Sequence, residues 1–426
     1  MIAHLPIVAS LVATTAVPPP AGPLLGDLTT DGVRMWLQAP SEEDAVSVEV
    51  RIGTERPDGA TVATLHPADS DSVSVRITSL EPDTRYTYRI DDRTDPAWWF
   101  RTRPADDRAA RLAFASCADE DEGSGRVWDR LDEDRIDGLV LLGDTPYIDT
   151  TKLDRQRRRY REFAAFPPFA RLVAHTPVYS TWDDHDFGLN DIDGRLPGKE
   201  NSRRAFAEHR PNPSFGEHDE GVYTSFRLGP IEVFLLDTRW FARTTGGLDD
   251  PTLLGAAQWR WLARGLESST APFRILACGM IFNDATRPGK TDHWGMYPKE
   301  YDRLLDLLER TGSEGVLLVS GDVHWSRVIE HDTEARLGRN LVEIITSPVH
   351  HRLIKAADAP HPGVVFSRGI VNSFLLVEAA TDPTTGRSEL TARLRDAAGT
   401  THHSQSMVVQ PDERTTAATD SRPDAP

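Results

Sequence analysis

Four short segments of the sequence carry side chains that bind metal ions, and each follows an apolar run. They are Ala-Ser-Cys at 115–117, Gly-Asp-Thr-Pro-Tyr at 143–147, Trp-Asp-Asp-His-Asp at 182–186 and Ser-Gly-Asp-Val-His at 320–324. A cluster of carboxylates stays ionised only when a cation neutralises it, because like charges raise each other's pKa. Thiolate, phenolate and imidazole suit a softer or trivalent ion, whereas carboxylate and amide oxygens suit a hard divalent ion. The segments therefore predict two metal ions that share one carboxylate.

Taken singly, each segment also has a purely structural interpretation. Asp144 follows a glycine, a pair that often forms a turn, and a lone Cys117 is commonly a buried structural thiol. The acidic run 183–186 is typical of a solvated loop, although it directly follows the apolar stretch 177–180. The combination of the segments favours a functional site.

The elements that must position these segments are buried strands. Apolar strand-like runs occur at 112–115, 139–142, 233–236, 275–277 and 316–319. Helical periodicity lies between them, as at 259–266 and 301–308. This alternation predicts an α/β sandwich, in which loops at the carboxyl ends of the strands converge on one crevice.

The chain divides into four predicted regions. Residues 1–22 are a possible signal or disordered leader, and 23–106 form a small β-sandwich with short alternating runs separated by turns. The stretch 80–89 resembles the tyrosine corner of a fibronectin type III-like sandwich. Residues 107–409 form the catalytic α/β domain, and 410–426 form a disordered tail.

Composition excludes several classes of protein. The 426 residues include 48 Lys and Arg against 66 Asp and Glu, a net charge of −18 that disfavours specific nucleic-acid binding. Cys117 and Cys278 are the whole cysteine supply, so a disulfide framework is excluded, although one bridge between them stays open. No apolar stretch is long enough for a transmembrane span. The apolar N-terminus favours a secreted or envelope-facing protein, with a cytoplasmic location as the alternative.

Together, the four segments resemble the PhoD-like alkaline phosphatases of the metallophosphoesterase superfamily. The resemblance runs from Gly26 to about Glu378, with supporting motifs at 236–239 and 254–262. It implies a metallophosphoesterase α/β sandwich preceded by the small fibronectin type III-like β-sandwich. It also implies metal-dependent hydrolysis of phosphomonoesters, phosphodiesters or both, on a small-molecule substrate and with no obligate protein partner.

The resemblance further implies a role for each donor. The residues that would hold an Fe(III) ion are Cys117, Asp144, Tyr147 and His324. The residues that would hold one or two Ca²⁺ ions are Asp144 as the bridge, Asp183, Asn190 and Asp322. His185 or Asp184 would protonate the leaving alkoxide, and the sequence leaves the choice between them open.

The chain also departs from the wider superfamily. Ser116-Cys117 stands where many relatives have Asp-x-His, and Cys278-Gly279-Met280 stands where a histidine is common. His350 and His351 are interpreted as surface or supporting residues rather than as replacements. The basic run 155–161 either offers an arginine to the phosphate or forms a solvated helix face, which is the preferred interpretation.

Two further functions stay open. One is a phospholipase D-like phosphodiesterase that acts on lipid head groups. The other is a non-catalytic binding protein stabilised by its metals, a hypothesis that would require ligands to be missing from the site.

Overall fold

The computed structural model describes residues 21–38, 48–53, 61–65, 72–91, 93–244 and 251–411. Most of the expected leader at 1–22 and of the expected tail at 410–426 lies outside these residues. Within the described ranges, every helix is too short or too polar to cross a bilayer.

Seven short strands form the N-terminal module as two antiparallel sheets, ordered β1-β2-β5 and β4-β3-β6-β7. The strands are β1 (Leu24–Gly26), β2 (Val33–Gln38), β3 (Val48–Gly53), β4 (Thr61–Leu65), β5 (Ser72–Ile77), β6 (Arg85–Ile90) and β7 (Trp99–Arg101). Met35, Tyr88 and Phe100 belong to one buried cluster shared by both sheets. The Tyr86 hydroxyl accepts a hydrogen bond from the backbone N–H of Glu81 at 2.9 Å, which closes the expected tyrosine corner.

The remaining strands form two larger mixed sheets. The six-stranded sheet has the order β10-β9-β8-β18-β19-β20, and the seven-stranded sheet has the order β11-β12-β13-β14-β16-β15-β17. The first six strands in chain order are β8 (Ala109–Ala115), β9 (Gly138–Leu142), β10 (Val178–Thr181), β11 (Thr224–Leu228), β12 (Ile231–Leu235) and β13 (Phe273–Ala277). The others are β14 (Val316–Ser320), β15 (Ser326–His331), β16 (Leu341–Ile345), β17 (Val364–Arg368), β18 (Ser373–Thr381), β19 (Ser388–Asp396) and β20 (Thr401–Val409).

Eight α-helices lie between the strands in the described part of the chain. They are α1 (Glu122–Glu133), α2 (Leu153–Ala164), α3 (Pro167–Val173), α4 (Asp184–Phe187), α5 (Lys199–His209), α6 (Gly255–Ser268), α7 (Pro298–Thr311) and α8 (Glu334–Leu337). Trp128 and Phe169 pack against the six-stranded sheet, and Trp259 and Leu308 pack against the seven-stranded sheet. One apolar cluster with members from both sheets lies between them. Strands such as β9 are therefore covered on both faces, which is why they read as continuous apolar runs.

The strand ends define where a site can form. Strands β8, β9 and β10 run parallel to one another, as do β12, β13 and β14. Their carboxyl ends meet in register, with Ala115 beside Leu141 in one sheet and Leu235 beside Ala277 in the other. The loops that follow these ends carry all four predicted segments.

Candidate metal centre

The loops after the strands hold an unusual backbone conformation at the predicted ligands. Cys117, Asp144, Asp322 and His324 have φ values of 57°, 53°, 63° and 52°. Side chains with a Cβ enter this left-handed region at a cost of about 1–3 kcal/mol each, and such residues cluster at functional sites. The loops are also tied together, because the Cys117 N–H donates to the carbonyl of Gly143 at 3.2 Å.

Two glycines allow the loops to approach each other. Gly143 has a φ of 101°, and a Cβ there would lie 2.3 Å from the backbone nitrogen of Asp183. A Cβ on Gly279 would lie 2.3 Å from Cγ of the same aspartate. Glycine at 279 thus makes room for the Asp183 carboxylate.

The predicted softer donors converge on Asp144. Ligand atoms of Cys117, Asp144 and His324 all lie within 4.8 Å of one another. The Cys117 Sγ atom is 3.6 Å from Asp144 Oδ2. The Tyr147 hydroxyl is 3.0 Å from His324 Nε2, so the phenol belongs to the same group. Cys117 and Cys278 are both free thiols, which resolves the open question of a bridge.

The surroundings of these donors disfavour their ionised forms. Burial raises the pKa of the Cys117 thiol well above its usual value, and the charge of Asp144 adds to this effect. Burial also raises the pKa of Tyr147 and of Asp144, helped by neighbouring negative charges. Burial and nearby Arg352 lower the pKa of His324 to about 4, so its imidazole is neutral near pH 7. A metal cation would supply the charge that lets the thiol and phenol ionise, so this donor set fits a metal ion.

The oxygen ligands form a neighbouring group. Carboxylate oxygens of Asp183, Asp184 and Asp322 lie within 4.8 Å of one another, and those of Asp184, Asp191 and Asp292 form a second such set. Asp183 Oδ2 is buried without a hydrogen-bond partner among the described residues. A buried carboxylate oxygen of this kind is a candidate ligand for a hard cation.

Two basic side chains lie among these carboxylates. Arg239 donates through Nε to Asp183 Oδ1 at 2.7 Å and forms a two-pronged pair with Asp292 at 2.7 Å. The Lys290 ammonium lies 2.7 Å from Asp322 Oδ2 and 3.0 Å from Asp191 Oδ1. Both cations are almost fully buried.

Asn190 is the predicted amide ligand of this group. Its side chain is exposed, in the loop that follows α4. The next residue contacts the group, since the backbone N–H of Asp191 donates to Asp184 Oδ2 at 2.6 Å. The structure brings together six of the predicted ligands, Cys117, Asp144, Tyr147, Asp183, Asp322 and His324.

The two candidate acids differ in their surroundings. Both oxygens of Asp184 accept backbone hydrogen bonds, from His185 at 3.0 Å and from Asp191 at 2.6 Å. Burial opposes the ionisation of Asp184, but the positive charges of Arg239, His185 and Lys290 lower its pKa. His185 is only partly buried, and its Nδ1 lies 2.6 Å from Asp149 Oδ1. This contact orients the ring through Nδ1.

His350 forms a hydrogen bond with the Tyr147 hydroxyl. Its Nδ1 accepts the backbone N–H of Arg352 at 3.0 Å, so the ring proton is on Nε2. Nε2 lies 3.1 Å from the Tyr147 hydroxyl and therefore donates to the phenolic oxygen. This donation stabilises a phenolate. His351, in contrast, is exposed and pairs with Asp121 at 2.8 Å.

Comparison with known proteins identifies the family of this chain. The family model described as PhoD-like phosphatase matches residues 112–382. The chain belongs to this family. Alkaline phosphatase D of Bacillus subtilis (strain 168) is 26% identical over an alignment of 327 positions, and the match covers 63% of this PhoD-like phosphatase and 56% of the relative. The matched region thus spans little more than half of that relative.

A solved structure also shares the fold of this PhoD-like phosphatase. The structure described as that of PhoD has a TM-score of 0.71 at 20% sequence identity, and the match covers 91% of this chain and 92% of the other. The predicted fold is confirmed, namely a metallophosphoesterase-like α/β sandwich with small β-sheets at the N-terminal end.

Sequence reasoning missed several residues of this PhoD-like phosphatase. Asp149 lies just after the Gly-Asp-x-x-Tyr segment, and Arg239 lies in the supporting motif at 236–239. Both could therefore have been predicted from the sequence. Lys290 and Asp292 gave no signal, because the stretch between β13 and α7 has no periodicity.

In the basic run, Arg159 pairs with Glu120 and Glu162 at 2.9 and 2.7 Å while also donating to the Tyr147 carbonyl.

Proposed function

We propose that this PhoD-like phosphatase hydrolyses phosphomonoesters, phosphodiesters or both in a metal-dependent reaction. The observation that carries the proposal is the convergence of Cys117, Tyr147 and His324 on Asp144 at a buried position where the thiol and phenol need a cation to ionise. Family membership and the relative called alkaline phosphatase D support the same reaction class.

The donor chemistry favours a different ion on each side of Asp144. Cys117, Tyr147 and His324 suit Fe(III), whereas Asp183 and Asp322 suit Ca²⁺. Asn190, which is exposed, is the proposed amide ligand on the calcium side. When bound, the metal ions would stabilise the phosphate oxygens and acidify a water nucleophile.

Among the two candidate acids, the contacts favour His185. Asp184 is held as a carboxylate by two backbone N–H groups, so it is poorly suited to give up a proton. His185 presents Nε2 while Asp149 holds Nδ1 at 2.6 Å. We infer that His185 protonates the leaving alcohol and that Asp149 is its positioning residue.

Arg352 offers a positive charge at the edge of the same group. Its guanidinium lies 5.5 Å from the centroid of the Tyr147 ring and pairs with Asp119 at 2.6 Å. About half of its side chain is exposed, with a relative accessibility of 52%. This partly free arginine is better placed than the engaged Arg159 to hold a substrate phosphate.

The proposal is tested by elemental analysis of protein purified without chelators or a histidine tag. Hydrolysis of p-nitrophenyl phosphate and of bis-p-nitrophenyl phosphate is measured in parallel, with and without added Ca²⁺. We expect about one iron per chain, as one shared donor set allows, and calcium-dependent hydrolysis, with the ratio of the two rates separating monoester from diester preference. Asp144→Asn should lose metal and turnover together.

Two results would contradict the proposal. Protein that stays metal-free and inactive after iron and calcium are supplied would favour the non-catalytic binding function. An Asp144→Asn variant with full activity and full metal content would show that the shared carboxylate is elsewhere.

A further inference from the structure

Lys290 lies among the carboxylates of Asp191, Asp292 and Asp322, which belong to the group of oxygen ligands described above. Its Nζ lies 2.7 Å from Asp322 Oδ2 and 3.0 Å from Asp322 Oδ1, so it engages both oxygens of this predicted ligand. It also lies 3.0 Å from Asp191 Oδ1 and 3.7 Å from Asp292 Oδ2. The lysine side chain is only 2% exposed, so these contacts are made out of water.

Almost all of the carboxylate oxygens around Lys290 already have a hydrogen-bond or ion-pair partner. Arg239 takes Asp183 Oδ1 and both oxygens of Asp292. Backbone N–H groups take both oxygens of Asp184. Among the described residues, Asp183 Oδ2 is the oxygen of this set left without a hydrogen bond or an ion pair.

A calcium ion requires several carboxylate oxygens, and here an ammonium or a guanidinium already pairs with Asp183, Asp191, Asp292 and Asp322. Ca²⁺ takes about six to eight oxygen ligands at roughly 2.3–2.6 Å. Asp322 can contribute only after the ammonium releases it, since Lys290 engages both of its oxygens. Arg239 is less readily displaced, because its planar fork holds two aspartates at once.

We infer that the Lys290 ammonium is the resident cation of this carboxylate group and competes with a divalent cation for Asp322. The inference rests on the proposed metal-dependent function and specifies how the divalent side of that site is regulated. A divalent cation binds when Lys290 swings away from Asp322. The apparent affinity is lowered by the fraction of molecules in which the lysine is already withdrawn.

Removal of the ammonium tests this competition directly. Iron-loaded full-length protein is dialysed free of calcium, and Ca²⁺ binding is measured by equilibrium dialysis for the wild type, Lys290→Gln, Lys290→Arg and Lys355→Gln. If Lys290 is withdrawn in fewer than about one molecule in ten, Lys290→Gln should bind Ca²⁺ about tenfold more tightly or better. Lys290→Arg keeps the cation and should stay close to the wild type. Lys355 is exposed, so Lys355→Gln is the matched control.

A second measurement needs no substitution at position 290. The chain has five lysines, Lys152, Lys199, Lys290, Lys299 and Lys355. Reductive methylation followed by peptide mass spectrometry reports the reactivity of each one. Lys290 should be protected in calcium-free protein and should become reactive when Ca²⁺ is added, while the other four serve as internal references.

The outcomes separate this inference from the proposed function. Equal calcium binding by the wild type and Lys290→Gln, or weaker binding by Lys290→Gln, would overturn the competition, as would unchanged labelling of Lys290 with Ca²⁺. Iron content is read in the same samples. A wild type that binds no iron would instead contradict the proposed metal centre.

Discussion

Replacement of Asp237 gives a quantitative test of the hydrogen bonds that hold the Arg239 loop in place. The Asp237 side chain is fully buried after β12. Its Oδ1 accepts hydrogen bonds from Trp182 Nε1 at 2.8 Å and from the backbone N–H groups of Arg239 and Trp240, both at 2.9 Å. Its Oδ2 accepts the N–H of Val222 at 2.9 Å. One carboxylate thus fixes the loop that carries Arg239 toward Asp183.

The effect of Asp237→Asn follows from these four bonds. The amide oxygen can replace Oδ1, but the amide nitrogen then faces the N–H of Val222, donor against donor. An orphaned buried donor costs about 1–3 kcal/mol, and three bonds lose their charge assistance. The lower cost of burying a neutral group offsets part of this loss, so we expect the free energy of unfolding to fall by about 2–4 kcal/mol.

The assay is urea unfolding of metal-free protein followed by circular dichroism. The control is Asp219→Asn, because the side chain of Asp219 is 97% exposed and asparagine tolerates its φ of 59°. The control should change the unfolding free energy by less than about 0.5 kcal/mol. A loss below about 1 kcal/mol in Asp237→Asn would refute the assignment of four buried hydrogen bonds to this carboxylate.

Three other results are expected. Cys117→Ser should lose iron while keeping most of its calcium, as read by elemental analysis; equal loss of both ions would contradict the division of donors. Iron affinity should rise with pH, because the thiol of Cys117 and the phenol of Tyr147 have raised pKa values and must release protons on binding, so titrations should show up to about a hundredfold change per pH unit for two protons. His185→Gln should slow hydrolysis of an alkyl phosphate about a hundredfold or more but that of p-nitrophenyl phosphate much less, since a good leaving group needs no acid. Asp149→Ala should show the same selectivity in weaker form, and equal effects on both substrates would exclude His185 as the acid.

The residues that sequence alone could bring together share one property. Cys117, Asp144 and Asp322 each come within two residues of the end of a parallel strand. The sheet fixes where such residues lie, because register and direction place the strand ends at one edge. The strand pattern therefore carried enough information to group the donors without any knowledge of contacts.

The residues that escaped prediction depend on loop conformation. Asp191 contacts the group through its backbone, since its N–H donates to Asp184 Oδ2 at 2.6 Å. Lys290 reaches Asp322 from a stretch without regular periodicity, and this contact joins residues 32 positions apart. Hydrophobic periodicity describes elements and not the direction of a loop side chain, so neither outcome was accessible from spacing.

The pairing of β8 with β18 sets the order in which the molecule can be completed during synthesis. Leu375 lies beside Phe114 in this antiparallel pair, and Arg111 binds Glu378 across 267 positions. Until the ribosome has delivered β18, one edge of β8 has no partner, and the chain around Cys117 has no finished sheet behind it. Cys117, Asp144 and Tyr147 are thus translated well before the strand that completes the sheet behind them. The buried surroundings of Cys117 are therefore complete only after β18 has been synthesised.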